Sequence, residues 1–134
     1  MFDDVARLIE LRFKTKWLLT PIAWDNVEYK PVIGTPFVRL TITWTDSVLT
    51  AGTSDQGNYR ESGFVTIQVF TPANEGSRNC LDLASKVAAV FRGYESGKLR
   101  CEAPRAERVG ENEGWFQVNV IAPFYFDNCA TLEA

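Results

Sequence analysis

In residues 37–45, FVRLTITWT, apolar and polar side chains alternate strictly from Val38 onward. Successive side chains of an extended chain point to opposite faces, so this alternation predicts a strand with one buried face. The predicted buried face comprises Val38, Leu40, Ile42 and Trp44. The opposite face is rich in threonine, which is typical of an antiparallel sheet whose second face meets water.

The same periodicity analysis predicts two helices and five further strands. The helices span residues 3–16 and 77–91. The further strands span residues 22–26, 59–70, 98–103, 106–109 and 115–126. The order α-β-β-β-α-β-β-β predicts an α+β fold, with two helices packed on one face of a mostly antiparallel (mixed) sheet.

The first predicted helix has one polar residue within its apolar stripe. Val5, Leu8, Ile9 and Phe13 follow the spacing of a helix face that packs against a core, and Arg12 falls on the same face. Gly93 follows the second predicted helix. It occupies the position just after a helix C-terminus, where a glycine with a left-handed backbone is common.

A polar segment at residues 46–59 separates two of the predicted strands and is long for a hairpin connection, which usually takes about 2–5 residues. It therefore predicts a long protruding loop. Val48 and Leu49 could instead extend the first strand and leave a mobile tip at residues 52–57. The 134 residues fit a single domain, 1–134.

The composition favours a non-enzymatic protein. The chain has no histidine, which removes the commonest general base and metal ligand. No phosphate-binding glycine motif or metal-binding cysteine pair is present, so no cofactor, metal or catalytic residue is predicted. The cysteines at positions 80, 101 and 129 are predicted to be free thiols.

Charge and hydropathy limit the partners. The net charge of −3 and the lack of a basic stretch argue against direct contact with nucleic acid, whose affinity comes largely from phosphate neutralisation. No apolar run approaches the ~18 residues that a membrane-spanning helix needs, and no signal peptide is visible. The protein is therefore expected in the cytoplasm, without a membrane partner.

Several motifs together resemble a known family. They are PIAWDN at residues 21–26, PFVRL at 36–40, YRESG at 59–63, an alanine-rich helix ending in Phe91, and WFQVNV at 115–120 followed by an aromatic end at 124–126. This pattern resembles the tail terminator (tail completion) proteins of long-tailed phages and prophages, over nearly the whole chain. Its motifs are structural rather than catalytic.

The resemblance implies a structural virion protein of the tail or neck, which assembles in the host cytoplasm. Members would form a six-membered ring that caps the tail tube, stops its polymerisation and joins it to the head. The implied partners are copies of the chain itself, the tail tube protein and a head-connector protein. Alternatives are another neck adaptor or stopper, or a small monomeric ligand-binding or enzymatic domain.

The predicted contact residues lie in and around the 46–59 segment. They are Trp44, Asp55, Tyr59, Arg60 and Glu61. Tryptophan and tyrosine are enriched among the residues that dominate interface energies, so Trp44 and Tyr59 are candidate anchors. Asp55, Arg60 and Glu61 are candidates for ion pairs between subunits.

Overall fold

The computed structural model describes residues 2–53 and 56–129. This part of the chain contains two helices and seven strands. In chain order they are α1 (Phe2–Lys16), β1 (Ile22–Ala23), β2 (Phe37–Gly52), β3 (Gly57–Pro72), α2 (Arg78–Phe91), β4 (Glu95–Ser96), β5 (Leu99–Cys101), β6 (Arg105–Asn112) and β7 (Trp115–Cys129).

The strands form a single mixed sheet in the order β1-β2-β3-β7-β5-β4. The long strands β2, β3 and β7 pair antiparallel in its centre. At one edge β1 adds in parallel to the start of β2. On the other side of β7, β6 pairs with its first half and β5 with its second half. The predicted α+β class and element order are confirmed, and β4 is a short strand that the periodicity does not reveal.

One core joins both helices to one face of the sheet, which we call the inner face. The long strands contribute these buried residues to the inner face: Val38, Leu40, Val65, Ile67, Val69, Val118, Val120, Ala122 and Phe124. The strand register places these residues in cross-strand rows, for example Leu40 beside Ile67 and Ile67 beside Val120. The helices meet through Phe13 and Phe91, whose rings stack with centroids 5.7 Å apart.

The polar residue in the α1 stripe links the two helices. The Nε of Arg12 donates a hydrogen bond to the carbonyl of Val90, 3.0 Å away in the last turn of α2. Its guanidinium lies 4.5 Å from the centre of the Tyr94 ring. The carbonyls of a helix C-terminus carry partial negative charge, so a cation is favourable at this position.

Beyond the core, three strands continue as an extension that we call the arm. It comprises residues 46–52 of β2, 57–62 of β3 and 125–129 of β7. At about 3.3 Å per residue, its β2 segment is roughly 20 Å long. Residues 45–52 are all exposed, so β2 forms the outer edge of the arm and β3 its centre.

The arm corrects the prediction of a long loop at residues 46–59. β2 continues to Gly52 and β3 begins at Gly57, so most of this segment is paired strand. The alternative in which Val48 and Leu49 extend the first strand is therefore the one that the structure has. The serines and threonines of residues 46–52 are compatible with an exposed strand. Pairing with β3 provides hydrogen-bond partners for their backbone groups.

Candidate partner-contact surface

Trp44 lies at the base of the arm, half-buried on the inner face. Its ring makes edge-on contacts with Phe2 of α1, at a centroid distance of 4.6 Å, and with Phe124 of β7, at 5.2 Å. Such aromatic pairs stabilise by about 0.5–1.5 kcal/mol beyond the area that they bury. Trp44 therefore fixes the start of α1 and the root of the arm to each other.

Glu61 lies in the arm between Ser47 and Phe126 and is only 7% exposed. Its Oε1 accepts a hydrogen bond of 2.8 Å from the hydroxyl of Ser47 on the neighbouring strand. A buried carboxylate needs such donors, because burial without a partner is unfavourable. In this structure Glu61 is thus directed into the arm rather than toward solvent.

Arg60 forms a two-pronged ion pair with Asp127, directly opposite on β7. The Nε donates to Oδ1 at 2.9 Å, and a terminal nitrogen donates to Oδ2 at 3.2 Å. The guanidinium also lies 4.2 Å from the centre of the Tyr125 ring. The hydrogen bond with Arg60 lowers the pKa of the Asp127 carboxyl, and the same bond raises the pKa of Arg60.

The remaining predicted contact residues are Tyr59 and Asp55. Tyr59 is half-buried in β3, where the register places it between Leu49 and Asn128. Asp55 lies outside the described residues. The structure thus brings Tyr59, Arg60 and Glu61 together on the central strand of the arm and Trp44 at its base.

Three features of the arm are not among the predicted contacts. Val48 and Leu49 are 48% and 42% exposed, which is high for large apolar side chains in a strand. Asp46 lies two residues before Val48, so the two side chains share one face of the strand. This face points away from the inner face of the sheet. Residues 46–50 show no alternation of apolar and polar side chains, so only the pairing with β3 identifies this face.

Metal sites, membrane-spanning helices and reactive thiols are three other features that could indicate a function in the described ranges. No group of three or more His, Cys, Asp or Glu side chains there could hold a metal ion. Within residues 2–53 and 56–129, neither α1 nor α2 has the length and hydrophobicity that a membrane-spanning helix requires. Burial raises the pKa of the Cys101 thiol to about 11 and also raises that of Cys80, so neither is prepared to act as a nucleophile.

Comparison with known proteins identifies a family. The sequence profile of phage tail terminator proteins matches residues 4–124. A solved structure of 19% sequence identity superposes with a TM-score of 0.62, covering 94% of this chain and 97% of that one. At this identity the likeness establishes the fold alone. No curated protein matches the chain. Because the family profile covers most of the sequence, the chain belongs to the phage tail terminator family.

Proposed function

We propose that this protein caps the phage tail tube as a ring of identical subunits and joins the tube to the head. The observation that carries the proposal is the family match over residues 4–124. The same match supports a role as a structural component of the virion rather than as an enzyme. The tail tube protein and a head-connector protein are the proposed partners.

The arm is the proposed contact element of the ring. Its β2 segment is roughly 20 Å long, and it presents two large apolar side chains, Val48 and Leu49, that are about half exposed. An exposed strand edge has unpaired backbone donors and acceptors, which makes it a natural site for contact with another chain. When one surface of a subunit binds a different surface of the next copy, the copies are joined head to tail. Such contacts form a closed ring if the rotation between successive copies leads back to the first copy.

The five predicted contact residues have different proposed roles in the arm. Trp44 and Glu61 make contacts that hold the arm to the core and its strands to each other. Arg60 pairs with Asp127 of β7 within the arm. An ion pair between subunits would therefore require the Arg60 guanidinium to bind a second carboxylate besides that of Asp127. Tyr59 and Asp55 remain proposed contacts with a neighbouring subunit.

The test is to measure the mass of the protein by light scattering over a wide concentration range, alone and with purified tail tubes. We expect a mass of about six times 15.1 kDa, or a ring at one tube end in electron micrographs when tubes are present. Tubes with bound protein should stop growing when free tube subunits are added.

A Val48→Glu variant tests the role of the arm, because it adds a charge to the arm without removing core contacts. This variant should fold normally but cap tubes less well. The proposal is wrong if the wild-type protein leaves tube growth unchanged. Binding to purified head connectors but not to tubes would instead identify a different neck adaptor.

A further inference from the structure

A groove lies between the outer side of α2 and the start of β6, at the opposite edge of the sheet from β2. Its apolar lining includes Leu81 and Ala88 of α2 and Val120 of β7. Leu81 is 45% exposed, so a large apolar side chain lies open to solvent there. The volume is about 190 Å³, below the ~300 Å³ typical of small-molecule sites, so the groove suits one or two side chains.

Two arginines line the groove, Arg92 at the end of α2 and Arg105 at the start of β6. Among the described residues, neither takes part in an ion pair or donates a side-chain hydrogen bond. Two like charges beside one cavity repel each other, and an anionic partner would relieve this repulsion. The groove is therefore complementary to an apolar side chain next to a carboxylate.

The arm presents this combination. Asp46 and Val48 lie on the same face of its exposed edge strand, about 7 Å apart along the chain. The positive charge next to Val48 belongs to Arg60, which Asp127 neutralises through two hydrogen bonds. The Oδ1 of Asp46 accepts a hydrogen bond of 2.9 Å from the backbone N–H of Ser47, but Asp46 forms no ion pair among the described residues, so its negative charge is not neutralised.

Taking the proposed ring as its basis, we propose that Asp46 and Val48 of one copy dock into the α2–β6 groove of the next. Val48 enters the apolar part of the groove, and Asp46 pairs with Arg92 or Arg105. The arm and the groove lie at opposite edges of one sheet, so the contact joins copies head to tail. A second copy is the occupant because the charges of these two surfaces are complementary.

Cysteine cross-linking tests the contact directly. Val48→Cys and Ser85→Cys are made in separate proteins, both in a Cys129→Ser background, and are mixed under mild oxidation with and without tail tubes. Ser85 lines the groove and is exposed, so this substitution changes little. We expect a disulfide between the two variants. Asn79→Cys, exposed on another side of α2, is the control and should not cross-link.

Charge reversal tests the ion pair. Asp46→Arg and Arg105→Asp should each weaken self-association, or ring formation on tubes, by roughly tenfold, and the double variant should recover most of the loss. Glu28→Arg and Lys30→Asp make the same charge changes in the exposed loop before β2 and should have no comparable effect.

The two proposals fail in different ways. Capped tubes without a Val48–Ser85 cross-link, in solution and on tubes, would overturn the groove contact and leave the capping function intact. Cross-linked copies that never bind tubes would support the groove contact and contradict capping. Equal cross-linking of the Asn79→Cys control would show that the arm contacts neighbours without using the groove.

Discussion

Gly63 lies opposite Trp44 at the point where the arm leaves the core. A Cβ at this position would come within 2.3 Å of the Thr43 carbonyl oxygen and 2.9 Å of the Phe124 ring. The first neighbour is backbone and cannot turn away as a side chain can. A register shift between Trp44 and Asp46 accompanies this close approach. A single hydrogen atom as side chain therefore allows β2, β3 and Phe124 to meet here.

We predict that Gly63→Ala lowers the free energy of unfolding by about 3 kcal/mol, because the added methyl group forces two paired strands apart. Urea denaturation monitored by tryptophan fluorescence measures the change. Ser62→Ala, one residue earlier and half-buried on the other face, is the matched control and should stay within about 0.5 kcal/mol. Equal stability of Gly63→Ala and wild type would mean that the strands separate easily at this point.

At the scale of elements, α1 is held to the rest of the protein by contacts along its whole length. Phe2 contacts Trp44 at its start, and Phe13 stacks on Phe91 near its end. Arg12 adds a directional contact, since its Nε reaches the Val90 carbonyl while its guanidinium lies over Tyr94. This explains why a charged residue occupies a stripe that otherwise contains apolar side chains.

We predict that Arg12→Met lowers the free energy of unfolding by about 1–2 kcal/mol, because the carbonyl of Val90 loses a charged donor. Arg12→Lys should recover only part of this loss, because an ammonium group lacks the planar stack on Tyr94. Thermal unfolding of both variants measures the difference. Arg7→Met, on an exposed side of α1, is the control. Full recovery by lysine would show that only the charge matters.

At the scale of the whole molecule, the core isolates two thiols that lie in different elements. Cys80 of α2 donates toward the Val69 carbonyl at 3.5 Å, and Cys101 lies in β5 with 6% exposure. Burial raises the pKa of both thiols, to about 11 for Cys101. At pH 8 the Cys101 side chain is therefore almost entirely in the unreactive thiol form.

We predict that a Cys129→Ser variant, which keeps these two thiols, reacts with a thiol reagent at pH 8 at least about a thousandfold more slowly when folded than in urea. The reagent reaches the thiols only through global opening, whose equilibrium constant is small. Both cysteines should therefore react at the same rate, as followed by mass spectrometry. Rapid labelling of one alone would reveal local opening of its element.

The sequence by itself determined both helices, the long strands and the inner face of the sheet, because these features repeat at the short periods of helix and strand. It also carried the motifs that indicate the family. The lack of histidine is likewise a property of composition alone. None of these features depends on which distant segments come into contact.

Only the tertiary structure decided the arm and the partners of its charged residues. Residues 46–52 are polar enough to form a loop, and they are a strand because β3 pairs with them and β7 supports β3. Arg60 forms an ion pair with Asp127, which lies 67 positions further along the chain, and Glu61 accepts a hydrogen bond from Ser47 on the neighbouring strand. Such partners depend on strand register, which long-range packing sets, so local sequence patterns could not specify them.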